Sequence, residues 1–195
     1  MHPAEVPALE PLGLPAAAVA SLTALRAGLV LVSGPAGSGR TTTAAAVVAR
    51  HVAAGRAALT VEEPIELVLT HGPGVVNQVE PGPEGRADPG LTLAGAAALA
   101  RDLDAEVVLL DHVDDPARAA LALDLAAQGR LVVTTIAARH PRDALSRLEL
   151  HAGDGPAARA QVARHVALVV AQRLEPRTDG AGRAPVCELL LPSAT

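Results

Sequence analysis

Residues 34–41 read Gly34-Pro35-Ala36-Gly37-Ser38-Gly39-Arg40-Thr41, and this stretch decides the fold. It matches the phosphate-loop pattern G-x-x-x-x-G-K-[ST] at every fixed position except the lysine, which is Arg40 here. The apolar run 28–32 before it predicts a buried strand, and the alanine-rich run 41–52 after it predicts a helix. Strand, loop and helix in this order are the context that a phosphate loop requires.

The loop predicts a nucleotide site as well as a fold. Its glycines let successive backbone N–H groups turn inward, and the helix start adds its dipole, so the loop can surround a triphosphate. The Thr41 hydroxyl is placed to bind Mg²⁺. We expect ATP to contact the residues from the first glycine to the second threonine, namely Gly34, Pro35, Ala36, Gly37, Ser38, Gly39, Arg40, Thr41 and Thr42. The alternative is an ordinary glycine-rich turn between a strand and a helix.

Arg40 is the one departure from the pattern. Arginine keeps the positive charge of lysine, but its planar guanidinium is bulkier and aims its donors differently. All sixteen basic residues of the chain are arginine, so composition alone offers a second explanation for this position.

Composition and charge exclude several classes of protein. The 195 residues suffice for one well-buried domain, and the absence of Phe, Tyr and Trp leaves no ring to stack on adenine. A net charge of −5 with scattered arginines argues against nucleic-acid binding. The single Cys187 fits a reducing cytoplasm. We expect neither a signal peptide nor a direct membrane span, because no basic n-region or long apolar run is present.

The order of predicted elements defines one domain at residues 28–195, preceded by an entry segment at residues 1–27. Strands that alternate with helices predict an α/β fold, with a mainly parallel sheet between two helical layers. We predict strands at 28–32, 57–62, 75–80, 106–111 and 131–136, helices at 16–26, 41–52, 91–103, 116–128, 140–150 and 157–170, a proline- and glycine-rich surface loop at 81–90, and a hairpin across 172–191.

Several segments resemble the ATPases of type II secretion and type IV pili. The phosphate loop is followed by T-V-E-E-P-I-E-L-V at 60–68, which is similar to the acidic "Asp box" of that family. Further similar segments are L-G-L-P at 12–15, V-N-Q at 76–78, D-A-L-S-R-L at 143–148 and Q-R-L-E-P-R-T-D-G-A-G-R at 172–183. The resemblance covers residues 12–191.

This resemblance implies a RecA-like P-loop domain that uses ATP and Mg²⁺. It implies a hexameric ring of identical or paralogous subunits, in the cytoplasm and peripheral to the inner membrane through a platform protein of a pilus or secretion machine. Relatives drive pilus extension, pilus retraction or secretion. The N-terminal domain of the family and its tetra-cysteine zinc module are not found in this sequence, and the second absence favours the retraction branch.

The acidic box of the family carries over onto three glutamates. Glu62, Glu63 and Glu66 remain, with Glu63 in the place of an aspartate, and the resemblance implies a catalytic role for them. The alternative is a charged strand end that Pro64 terminates.

The other catalytic boxes of the family are altered. The family has G-E-x-R-D after the third strand, and here His112 stands in the place of the catalytic glutamate and Asp114 in that of the arginine. Asp111 ends an aliphatic run, as a metal-supporting aspartate does, although a turn-forming carboxylate is the alternative. Ala137 occupies the place of the His-box histidine, and His140 is interpreted as a solvated helix entry.

Two functional hypotheses remain open from sequence. The altered boxes favour a pseudo-ATPase that binds ATP and serves as a structural or regulatory ring subunit. The alternative is an active hexameric motor ATPase that uses an altered site for pilus retraction or secretion. A kinase would need a lid and an acceptor-binding region, and neither is found in the sequence.

Overall fold

A seven-stranded sheet forms the centre of the computed structural model, which describes residues 4–82, 92–177, 180 and 182–191. The strands are β1 Ala4–Glu5, β2 Gly28–Ser33, β3 Ala58–Val61, β4 Leu67–Val68, β5 Val76–Val79, β6 Val107–His112, β7 Leu131–Ile136, β8 Val166–Pro176 and β9 Arg183–Leu190. The helices are α1 Ala16–Ala24, α2 Arg40–Ala53, α3 Leu93–Asp102, α4 Pro116–Ala127, α5 Pro141–Ala152 and α6 Pro156–His165.

The sheet runs in the order β5-β3-β6-β7-β2-β8-β9, and only β9 is antiparallel to its neighbour. The strand that leads into the phosphate loop, β2, therefore lies inside the sheet between β7 and β8. Parallel strands place their carboxyl ends at one edge, where open α/β sheets bind ligands. The predicted α/β fold with a mainly parallel sheet is confirmed.

Helices cover both faces of the sheet, as the alternation along β2 illustrates. Leu29 and Leu31 belong to the apolar cluster beneath α3, α4, α5 and α6. Val30 and Val32 belong to the cluster beneath α1 and α2. A strand buried on both faces reads as a continuous apolar run, which is why the sequence showed this strand so clearly.

The helix predicted at 157–170 is wrong at its second half. The helix α6 ends at His165, and the next residues begin β8. Val166, Val169 and Val170 are buried, and β8 pairs with β2 along this stretch. Branched side chains favour strands, and burial against the central strand outweighed the helical spacing of the sequence.

One small pair of strands was not predicted, and one predicted loop cannot be compared with the structure. β1 and β4 form a small parallel pair that the sequence did not reveal. The proline- and glycine-rich loop predicted at 81–90 lies, from residue 83 onward, outside the described residues. Within the described residues, no helix combines the length and the apolarity that crossing a membrane requires.

A buried polar cluster fastens the sheet edge opposite the phosphate loop. His51, at the end of α2, lies 3.0 Å through Nε2 from Leu22 O, and its Nδ1 lies 3.3 Å from Arg56 Nη1. The Arg56 guanidinium also donates to Arg26 O at 2.8 Å and to Glu106 O at 3.2 Å. The cluster thereby joins the segment before β2 to the end of α2 and the start of β6.

Acid should weaken the fold through His51. Burial lowers its pKa below the ordinary 6.5, and the charge of Arg56 acts in the same direction. The unfolded chain takes up a proton near this pH and the folded chain only at a lower pH, so the free energy of unfolding falls as the pH drops below about 6.5. Urea titrations above and below this pH should show that the free energy of unfolding falls less in His51→Gln than in the wild type.

The exposed His140 provides the matched control. His140→Gln should keep the full acid-dependent loss of stability, because its imidazole is largely solvated. An equal loss in the wild type and in His51→Gln would assign the effect to other groups.

Candidate functional site

The phosphate loop packs against β8 at Gln172, just beyond the last residue pair that β8 forms with β2. A Cβ atom added to Gly34 would lie 2.2 Å from Gln172 O and 2.3 Å from Ser38 Oγ, so no side chain fits at this position. Gly37 and Gly39 have φ angles of 72° and 85°, in the left-handed region that favours glycine. The glycines are therefore required by close approach and by backbone conformation.

Gln172 supports the loop with its side chain as well. It is buried, and its Nε2 donates to Ser38 O at 2.7 Å across 134 positions of sequence. Among the described residues, Gln172 Oε1 and Ser38 Oγ are buried side-chain atoms without a hydrogen-bond partner.

Arg40 folds back over the loop, and Thr41 follows it in the first turn of α2. The Arg40 guanidinium donates through Nη1 to Gly34 O at 2.9 Å. Burial lowers the pKa of Arg40, and the nearby Asp111 carboxylate raises it. Thr41 and Thr42 are both half-buried at the start of the helix.

Asp111 lies at an irregularity of β6. The pairing of β6 with β7 shifts between Leu110 and His112, so Asp111 is an extra residue at the strand end. A bulge of this kind re-aims the neighbouring side chains. The Thr135 hydroxyl donates to Asp111 O at 2.7 Å and holds the bulge in place.

Glu62 is the buried member of the acidic box. It accepts a hydrogen bond from Thr60 Oγ1 at 2.6 Å and from Gln78 Nε2 at 3.1 Å. Burial raises the pKa of Glu62, and the charges of Asp111 and Glu66 act in the same direction. The structure therefore places Glu62, Asp111 and Glu66 near one another at the carboxyl edge of the sheet.

Glu63 adjoins this group through its backbone, whose N–H donates to Asp111 Oδ2 at 3.4 Å, and its exposed side chain belongs to an ion-pair network. Arg118, in the first turn of α4, lies 3.0 Å from Glu63, 3.3 Å from Asp114 and 2.8 Å from Asp115. The Arg118 guanidinium thus links the segment that follows β3 to the segment that follows β6. The sequence did not single out Arg118, because one of its partners, Glu63, lies 55 positions away in the chain.

His112 is engaged on both ring nitrogens. Its Nδ1 lies 3.2 Å from Asp111 and its Nε2 lies 3.3 Å from Asp114. With a carboxylate oxygen facing each nitrogen, a water molecule can approach the ring only by displacing one of these contacts. This geometry does not favour His112 as a general base.

An open cavity of about 570 Å³ adjoins the loop on the side of α5. Ala137, in the place of the His-box histidine, lines it and offers no polar side chain. The other residues that line the cavity are Gly34, Pro35, Ala138, Arg139, Asp143, Ser146 and Arg147.

Sequence reasoning identified the loop and the acidic residues but missed what holds them. Gln172 and Gln78 lay within segments quoted for their family resemblance, yet their contacts with Ser38 and Glu62 join distant parts of the chain. A glutamine within a strand is a signal of such a contact only once the strand order is known.

Comparisons with known proteins agree with the resemblance. The model of the family described as "Type II/IV secretion system protein" matches residues 6–188. A twitching motility protein of Neisseria gonorrhoeae is 32% identical over 168 residues, which cover 84% of this chain and 43% of that protein. The type II secretion system protein E of Dickeya dadantii is 39% identical over 123 residues, which cover 63% of this chain and 23% of that protein.

Among solved structures, the pilus retraction motor PilT with bound ADP superposes with a TM-score of 0.85 at 31% identity. The match covers 100% of this chain and 55% of that one. This chain therefore spans roughly half or less of the length of these three relatives. The likeness confirms the expected RecA-like fold.

Glu62→Gln should stabilise the fold. The amide oxygen can still accept the hydrogen bond from Thr60, and the substitution removes the charge that burial disfavours. The free energy of unfolding should therefore rise by about 0.5–2 kcal/mol, the range of a single stabilising substitution. The gain should shrink as the pH falls, because Glu62 itself becomes protonated. Denaturant titrations at neutral and acid pH measure both effects. Glu63→Gln, which weakens an exposed ion pair, should give no gain; equal effects of the two variants would contradict this interpretation.

Gln172→Ala should loosen the phosphate loop. Ser38 O would lose its donor, and an unpaired buried group costs about 1–3 kcal/mol. Hydrogen exchange should increase at residues 34–39 while it stays unchanged in α4. Arg173→Ala, the exposed neighbour on the same strand, should leave exchange in the loop as it is. Unchanged protection of the loop in Gln172→Ala would remove Gln172 from this role.

Proposed function

Since the chain belongs to the Type II/IV secretion system protein family, we propose that it binds Mg-ATP through residues 34–41 and hydrolyses it weakly or not at all. In this proposal it is a structural or regulatory subunit of a pilus or secretion motor. The observation that carries the proposal is the loop itself, which is seated on β8 without room for a side chain at Gly34 and opens onto the start of α2.

The donor set of the loop suits a magnesium-bound polyphosphate. Inward-facing N–H groups at a helix start attract phosphate, and Arg40 adds a full positive charge. Mg²⁺ usually takes one or two protein oxygens and fills its other positions with phosphate and water. Thr41 and Asp111 could supply these two protein oxygens. Within the described residues, no group of three acidic, His or Cys side chains could hold a metal without a ligand that contributes further oxygens. The ion would supply charge neutralisation of the phosphates.

Weak hydrolysis follows from the groups that face the loop. Phosphoryl transfer depends on a positioned water and on stabilised charge, rather than on covalent chemistry by the protein. Both ring nitrogens of His112 already contact carboxylates, and the methyl side chain of Ala137 cannot form a hydrogen bond. Arg40 can offset phosphate charge in the ground state, but binding alone does not lower a chemical barrier.

The second candidate is an active motor ATPase. Glu62 and Glu66 lie near Asp111, and Arg118 supplies a positive charge to the exits of β3 and β6. These groups favour a site in which the acidic box positions water in place of His112. Because the chain spans only part of its relatives, a hexameric ring, an inner-membrane platform partner and a cytoplasmic location remain proposals of both candidates.

Calorimetric titration of Mg-ADP and Mg-ATP, together with phosphate release, tests the proposal. The wild type should bind both nucleotides and release phosphate near the background rate. Arg40→Lys should strengthen nucleotide binding. The ammonium group of lysine is smaller than a guanidinium, so it can leave the Gly34 carbonyl for the phosphates with less steric hindrance. His112→Glu should raise turnover, and the double variant should exceed either single change. His151→Glu, a glutamate introduced far from the loop, is the control.

Absence of binding by the wild type and by Arg40→Lys would reject the nucleotide site. Robust turnover by the wild type, lost in Glu62→Gln, would reject the pseudo-ATPase and support the motor.

A further inference from the structure

The cavity beside the phosphate loop carries two arginines with no role so far. Arg139 follows β7, and Arg147 lies on α5 one turn after Asp143. Both line the cavity together with Gly34 and Pro35 of the loop. Their side chains are exposed to the open space rather than covered by neighbouring segments.

The position of Arg40 shows which end of a bound nucleotide this cavity would receive. The cation at this position of a phosphate loop reaches the β- and γ-phosphates, whereas the helix start holds the inner phosphates. The Arg40 guanidinium lies on Gly34 O, and Gly34 itself lines the cavity. The outermost phosphate of a nucleotide held by the loop would therefore face the cavity.

The two arginines are unpaired, unlike others near the loop. Among the described residues, the side chains of Arg139 and Arg147 make no hydrogen bond and no ion pair. The Asp143 carboxylate lies beyond salt-bridge distance of both guanidinium groups. By contrast, Arg118 contacts three carboxylates. Two free guanidinium groups and one carboxylate leave a local excess of positive charge toward the cavity.

We propose that Arg139 and Arg147 bind the terminal phosphate of a nucleoside triphosphate and make the site select triphosphate over diphosphate. The proposal rests on the proposed nucleotide site. Guanidinium groups match phosphate oxygens through paired N–H donors and remain charged at any physiological pH. The small Ala137 leaves the room that these side chains need to reach across the cavity.

This assignment explains how a site without its usual polar residue at position 137 can still recognise a triphosphate. Charge from Arg139 and Arg147 acts on the ground state of the bound nucleotide. It supports a subunit that responds to the presence of the third phosphate without cleaving it.

The test compares two ligands on the full chain by calorimetric titration. The ligands are Mg-ADP and the magnesium complex of the β,γ-imido analogue of ATP. Arg139→Ala and Arg147→Ala should each weaken the affinity for the analogue roughly tenfold or more, which is the loss expected for one charge-assisted hydrogen bond. Each should change the affinity for Mg-ADP less than about twofold. Arg139→Lys should recover part of the affinity for the analogue.

Arg142→Ala is the matched control. It lies on the same helix and is equally exposed, but it lines a neighbouring cleft with His140 and Glu188 instead of this cavity. It should leave both affinities unchanged. Thermal melting by circular dichroism should show that all variants fold as the wild type does, since each replaced side chain is exposed.

The outcomes separate this proposal from the proposed function. If the wild type binds both ligands and the arginine variants lose both equally, or lose neither, the selectivity role is overturned and the nucleotide site stands. If the wild type binds neither ligand, the nucleotide site fails and the selectivity role fails with it.

Discussion

The contact between Gly34 and Gln172 of β8 is the constraint on which the candidate site depends. The loop passes so close to Gln172 O that only glycine fits, and the Gln172 side chain holds the loop again at Ser38. The curvature of the loop is therefore set by the strand beside it rather than by its own sequence alone. Arg40 and Thr41 take their positions from that curvature, because α2 begins where the loop ends.

Charge is distributed unevenly around this loop. On the side of β3 and β6, carboxylates outnumber cations, and Arg118 is fully engaged by three of them. On the side of α5, Arg139 and Arg147 face open space. The phosphate loop thus lies between a region rich in carboxylates and a region rich in exposed arginines. That separation agrees with a ligand that brings its own cation on one side and exposes phosphate oxygens on the other.

Much of the fold was predictable because its signals are local. The strand, loop and helix around Gly34, and the apolar run of β7, follow from runs of residues that depend little on the rest of the chain. The boundary between α6 and β8 was not predictable, because H-V-A-L-V-V at 165–170 satisfies both patterns until β2 is known to lie beside it. The bulge at Asp111 and the partners of Gln172 have the same origin, since each is fixed by a neighbouring strand.

The strand order has a consequence for the time course of synthesis. The loop ends where α2 begins at Arg40, but β8, which supports it, begins only at Val166. A nascent chain carries the whole motif and the helix α2 long before the strand that shapes them exists. The loop can therefore take its final form only after β8 has been synthesised, and a chain that stops short of β8 would contain the motif without the site.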